Sequence, residues 1–176
     1  TLMRTMALSA AILASALMNG CSRPTEVELM ERAAAAYQSG NPEEAMALYQ
    51  ECLDRYPEGE MRPEATFAMA SIYQNDRHDL TAALRTYRAV VDQFPNHVRA
   101  PGALFLIGFI LHNELGNLDS ARSSYEEFLK KYPGHPMAAS AEYELANLGK
   151  DPSSLLNAGA APPTGARAAK SRTRKR

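Results

Sequence analysis

Three aromatic–proline pairs, Tyr56-Pro57, Phe94-Pro95 and Tyr132-Pro133, stand 38 residues apart both times. A fixed period of this length marks a tandem array of supersecondary units, each too small to bury its own apolar face. The period runs through whole columns of the sequence. Ala45, Ala83 and Ala121 superpose, as do Tyr49, Tyr87 and Tyr125, and Leu53, Val91 and Leu129. Asn41, Asp79 and Asn117 precede them. After the prolines come Ala65, Ala103 and Ala141, then Phe67, Phe105 and Tyr143.

Within one unit, Ala45, Tyr49, Cys52, Leu53 and Tyr56 fall at helical spacing and draw one apolar stripe. Val27, Met30, Ala34 and Tyr37 draw another ahead of it, so each unit is a pair of helices. Between the two stripes lies Gly40-Asn41-Pro42-Glu43-Glu44. Gly40 suits the left-handed position past a helix end, Asn41 a cap, Pro42 the first helical position, and Glu44 a capping box. Asp79 and Asn117 are expected to cap the same helix in the next two units. Pro57, Pro95 and Pro133 end the second helix, because proline lacks the N–H and forces its predecessor out of the helical region. The sequence predicts helices over 26–39, 42–56, 62–75, 79–94, 99–114, 118–132 and 137–148, and no strand. The fold class is all-α: a helical-hairpin solenoid with repeats over about 26–57, 58–95 and 96–133. A C-terminal capping segment, 134–149, presents Glu142 and Glu144 on a polar face that closes the stack.

The small-aromatic-proline series is Ala45, Tyr49, Pro57; Ala83, Tyr87, Pro95; and Ala121, Tyr125, Pro133. With Ala70 and Gly108 as small residues of the first helix, it resembles the tetratricopeptide repeat family over residues 26–149. Two features depart from that family. The period is 38 against the usual ~34, and Cys52, Val90 and Phe128 stand where the second helix is usually small. Longer repeats closing on Tyr-Pro are similar to bacterial envelope members of the family, the outer-membrane assembly lipoproteins of BamD type and the Tol-Pal coordinator YbgF.

The two ends differ from the middle. Residues 1–21 pair Arg4 with an apolar run from Met6 to Met18, too short to span a bilayer and suited to a signal-peptide core. Leu17-Met18-Asn19-Gly20-Cys21 is similar to the bacterial lipobox, which implies acylation of Cys21; the alternative is ordinary secretion. Ser22 to Thr25 make a short linker, and Ser22, in place of an aspartate, implies by resemblance the outer membrane. The localisation expected is therefore lipid-anchored at the outer membrane and facing the periplasm, or else soluble in the periplasm. Cys52, the other cysteine, lies on the apolar stripe and reads as a core residue.

The net charge of −1 hides a polarity: residues 26–149 carry −9, and residues 150–176 carry +6. The basic tail (Arg167, Lys170, Arg172, Arg174, Lys175 and Arg176) has little apolar content and reads as disordered. In an envelope its expected partners are anionic lipid headgroups, lipid A phosphates or the acidic repeats themselves, not nucleic acid, and the alternative is a tail that is merely solvated.

Catalytic chemistry has little to stand on. His78, His97, His112 and His135 lie in no metal spacing, and His97 and His135 share a turn position. Glu43-Glu44 and Glu126-Glu127 fall on exposed helix faces, and neither a phosphate loop nor a nucleophile elbow occurs. No enzyme activity, cofactor or metal is expected. A repeat solenoid offers instead a concave surface for a peptide. Registering Ala70 and Gly108 at the family's small position places Glu64, Ala68, Ser71, Gln74, Asn75, Leu106, Phe109, His112 and Asn113 toward the groove. Asn75 and Asn113 are similar to the asparagines with which some family members hold a chain terminus. The basic residues such a clamp needs are missing at the matching positions, which favours helix-terminal asparagines. The expected function is a lipid-anchored periplasmic scaffold binding envelope proteins, foremost in β-barrel assembly. A Tol-Pal type division coordinator and a pilus or secretion-system pilot lipoprotein are the alternatives.

Overall fold

Each predicted helix forms, with ends within a residue or so of the caps and breakers that specify them. The computed structural model describes residues 23–150. In order they form α1 (Glu26–Gln38), α2 (Pro42–Arg55), α3 (Arg62–Asn75), α4 (Leu80–Gln93), α5 (Arg99–Phe109), α6 (Leu118–Lys131) and α7 (Ala138–Asn147), with no strand among the described residues. The leader, Cys21 and the basic tail lie outside the described residues.

Helices α2, α4 and α6 stop at Tyr56, Phe94 and Tyr132, each directly before its proline. At the opposite ends, Asp79 Oδ1 accepts from Ala82 N at 2.9 Å and Asn117 Oδ1 from Ser120 N at 3.1 Å, as expected of N-caps. Asn41 departs from the expectation. Its side chain makes no cap bond, so Glu44 completes no capping box. The cause is a tighter turn: Asn41 N bonds Ala36 O, five residues back, whereas Asp79 N and Asn117 N bond Tyr73 O and Leu111 O, six back. The capping box stands instead at the start of α1, where Thr25 Oγ1 accepts from Glu28 N and Glu28 Oε2 from Thr25 N, at 3.2 and 2.7 Å.

That one-residue difference shifts the first-helix columns. Ala33, Ala70 and Gly108 are the buried small residues, spaced 37 and then 38 residues apart. The extra residue of the second and third repeats closes with bonds across five residues, Arg77 N to Ile72 O and Leu115 N to Ile110 O. In the third repeat it turns the end of the expected 99–114 helix into a π-helical stretch, Ile110–Glu114.

The described residues fall into two compact units that divide after Leu106, within α5. In the first, α1 pairs with α2, α3 with α4, and α2 touches α3. Its core takes Leu29, Ala33, Tyr49, Cys52, Ala65, Met69 and Ile72. Each fully buried Leu or Ile contributes about 1.5–3 kcal/mol. The Cys52 thiol sits on the backbone carbonyl of Glu26 at 3.9 Å, and burial, then Glu26, push its pKa up, so it behaves as a small hydrophobe. In the second unit, α6 packs on the π-helical stretch and on α7, burying Ile110, Ala121, Tyr125, Phe128 and Ala141.

Candidate functional site

The Tyr125 ring of α6 lies against Gly108, the small residue of the first helix of its repeat. In the first unit, Tyr49 is buried on α2 and faces a cavity of about 190 Å³ lined also by Tyr37 of α1 and by Ala68, Ser71 and Ile72 of α3. Ala68 and Ser71 are where the sequence places groove residues. Tyr37 escapes that reading because the shorter first repeat moves α1 out of the 38-residue register, and Tyr49 and Ile72 because they are buried core residues.

Two of the polar groups around this cavity, the Ser71 and Tyr37 hydroxyls, are engaged. Ser71 Oγ lies 3.2 Å from Phe67 O and 3.0 Å from the Tyr87 hydroxyl, which also donates to Gln74 Oε1 at 3.3 Å. Thus Ser71 and Gln74 meet at one tyrosine. The Tyr37 hydroxyl donates to Asp76 Oδ2 at 3.2 Å. Burial first, then Asp76, raises the Tyr37 pKa; burial first, then Tyr37 and Glu64, raises that of Tyr49. Both phenols therefore stay neutral, with carboxylates near the rim. Glu64 itself pairs with Arg99 at 2.6 Å, and that guanidinium stacks over Phe67. Asn75 ends α3 and is exposed. Leu106 is half-buried at the close of the first unit.

The remaining groove candidates lie in the second unit. Phe109 is 37% exposed. Asn113 Nδ2 donates to Phe109 O at 3.2 Å, a bond within its own helix. His112 does not face open solvent. Its side chain is only 16% exposed, with Nδ1 shielded and 3.4 Å from Glu144 Oε2. Glu144 therefore departs from the polar outer face expected of α7. It turns inward because His112 and the Tyr125 ring line the surface on which α7 packs. Burial and then Glu144 hold the Tyr125 phenol protonated. Glu142 is exposed as expected, and so is Tyr143, at 58%. Its counterpart Phe67 is covered, packing edge-on against Tyr87 at 5.3 Å.

Two histidines work in turns. His97 Nδ1 accepts from Arg99 N and His135 Nδ1 from Met137 N, at 3.3 and 3.2 Å, each steadying the entry to the next helix. Among the described residues no group of three or more His, Cys, Asp or Glu side chains is arranged to hold a metal ion, and no helix is long and apolar enough to cross a membrane. A second, wider hollow of about 510 Å³ lies beside Arg23, Arg55 and Tyr56.

Comparison with protein families finds one described as tetratricopeptide repeat, whose model matches residues 29–59, 64–97 and 102–135. Comparison with curated proteins finds no match.

Proposed function

The chain belongs to the tetratricopeptide repeat family, and from that premise we propose that it is a lipid-anchored, periplasm-facing adaptor that recruits another protein at the bacterial outer membrane. Its repeats make it a scaffold for protein–protein interaction. The observation that carries the binding role is the open, apolar-walled cavity between α1 and α3, beside which Ser71 and Gln74 are both engaged with Tyr87. A site of this kind takes a side chain from a partner segment.

The anchor reading is supported by the lipobox-like Leu17–Cys21 ahead of the repeats. It is also supported by how soon the chain is tied down after Cys21. The Tyr56 hydroxyl donates to Pro24 O at 2.8 Å, and Glu26 Oε1 accepts from Met61 N at 2.8 Å. Only Ser22 and Arg23 separate the cysteine from this clamp, so an acyl group on Cys21 would hold the first repeat within roughly 10 Å of the bilayer surface. β-Barrel assembly is the leading setting, with Tol-Pal coordination or a pilot role in secretion as the other readings. Mass spectrometry of the mature N-terminus, with and without globomycin, tests the anchor: a diacylated Cys21 whose processing globomycin blocks is expected. An unmodified soluble form would remove it. Affinity capture from solubilised envelopes separates the settings, according to whether barrel-assembly, Tol-Pal or secretin components are recovered.

A further inference from the structure

The first and the last repeat carry this site in two chemical versions. Counted from the small residues, Tyr37 stands four after Ala33 and His112 four after Gly108. Ala68 stands two before Ala70, and Glu144 two before Ala146; Tyr49 and Tyr125 share the second-helix column. Three of the five positions that line the cavity of the first unit are therefore held in the second unit by His112, Tyr125 and Glu144, and the other two by Asn147 and Leu148. There the carboxylate of Glu144 reaches to 3.4 Å from the imidazole, where Ala68 in the first unit leaves open space. The second version is closed by the chain itself, and the first is left open.

We propose that the open version seats one leucine-sized aliphatic side chain of an extended partner segment, and that Asp76 receives a lysine or arginine next to it. This rests on the adaptor reading and names the ligand of its site. The aliphatic preference follows from the walls. Ala68, Ile72 and the two tyrosine rings are apolar, and the Ser71 hydroxyl is committed to Phe67 O and Tyr87. A polar side chain entering would lose its water, and the single proton of that hydroxyl is already in use. The size follows from the volume of about 190 Å³, since apolar cavities of about 150 Å³ accept a benzene ring. The cation follows from Asp76. Its carboxylate accepts from the Tyr37 hydroxyl, and among the described residues it meets no Lys or Arg, the neighbouring Arg77 being paired with Glu43. Tyr37, 39% exposed, offers its ring to the same cation. The surplus of negative charge on residues 26–149 favours such a partner over long range. The chain's own basic tail does not meet the description. Around Arg167 and Lys170 its apolar residues are alanines, and Leu155-Leu156 has no base beside it.

The test uses the full chain, isotope-labelled, titrated with peptides of Gly and Ser carrying Leu-Lys, Ala-Lys or Leu-Glu at the centre, and with a peptide of residues 160–176. The Leu-Lys peptide is expected to shift the amide signals of Ala68, Ser71 and Ile72. Replacing Leu by Ala should weaken binding about tenfold or more, and replacing Lys by Glu should weaken it several-fold at low salt. Asp76→Asn should abolish the Lys-over-Glu preference and keep the Leu-over-Ala preference. Ala68→Leu fills the cavity and should eliminate the shifts with an unchanged or raised Tm. Equal binding of the Leu and Ala peptides, no shift at millimolar peptide, or tighter binding of the tail peptide at the same amides would each overturn the proposal. If Ala68→Leu still captures an envelope partner, this site assignment falls while the adaptor reading stands. If neither the wild type nor the variant captures one, the adaptor reading falls with it.

Discussion

His78 holds a backbone conformation that the two equivalent positions leave to glycine. Its φ is +51°, beside +79° for Gly40 and +63° for Gly116. An L-residue there brings Cβ against the following carbonyl at about 1–2 kcal/mol. His78→Gly is expected to stabilise the protein by about 1 kcal/mol, and Gly40→Ala to destabilise it by a similar amount. Urea-denaturation midpoints check both. At Gly108 the constraint is space, since a Cβ would stand 2.7 Å from the Tyr125 ring. Gly108→Ala should therefore lower stability by about 1–3 kcal/mol through overpacking, against only ~1 kcal/mol of helix propensity gained. The tyrosines give a pH dependence. Burial raises the pKa values of Tyr37, Tyr49, Tyr125 and Tyr132 above the unfolded value. The folded state keeps those protons longer, so their contribution is complete below about pH 10 and is lost as pH rises through the folded values. Stability should fall above that point, in step with delayed tyrosinate absorbance. Coincident curves for native and unfolded tyrosinate formation would contradict this.

Helix ends show where sequence reading succeeds and where it stops. The proline column fixed the ends of α2, α4 and α6, because proline acts through local sterics that no tertiary contact relaxes. Asp79 and Asn117 cap as read, and Asn41, in the same column, does not. The difference is the number of residues in the preceding turn, which a column match at Asn41 hides. Asp79→Ala and Asn117→Ala should each cost about 1 kcal/mol, while Asn41→Ala should cost less than half of that. Matched thermal melts decide it, and an equal loss at all three would show that the residue types, not the observed bonds, set the effect. The same missing residue kept Tyr37 out of the groove as read from sequence, and it kept His112 from being seen as the counterpart of Tyr37. Periodicity assigns a residue to a helix face. Which side chains then meet depends on how far one helix is advanced past its neighbour.

At the scale of the molecule, the repeats, the family and the scaffold role were legible from columns of small, aromatic and proline residues. The division after Leu106 and the contrast between an open site and a self-closed one were not, since both arise from packing across residues more than 30 positions apart. The central claim is that the open face between α1 and α3 meets a partner protein. Its most direct test places a photo-reactive phenylalanine analogue at Tyr37, on the cavity rim, and at exposed Glu126 on α6 as a control, followed by irradiation of intact cells. A discrete protein adduct from position 37, absent from position 126 and lost with Ala68→Leu, is the predicted result. Adducts equal at the two positions, or none at position 37, would contradict the account.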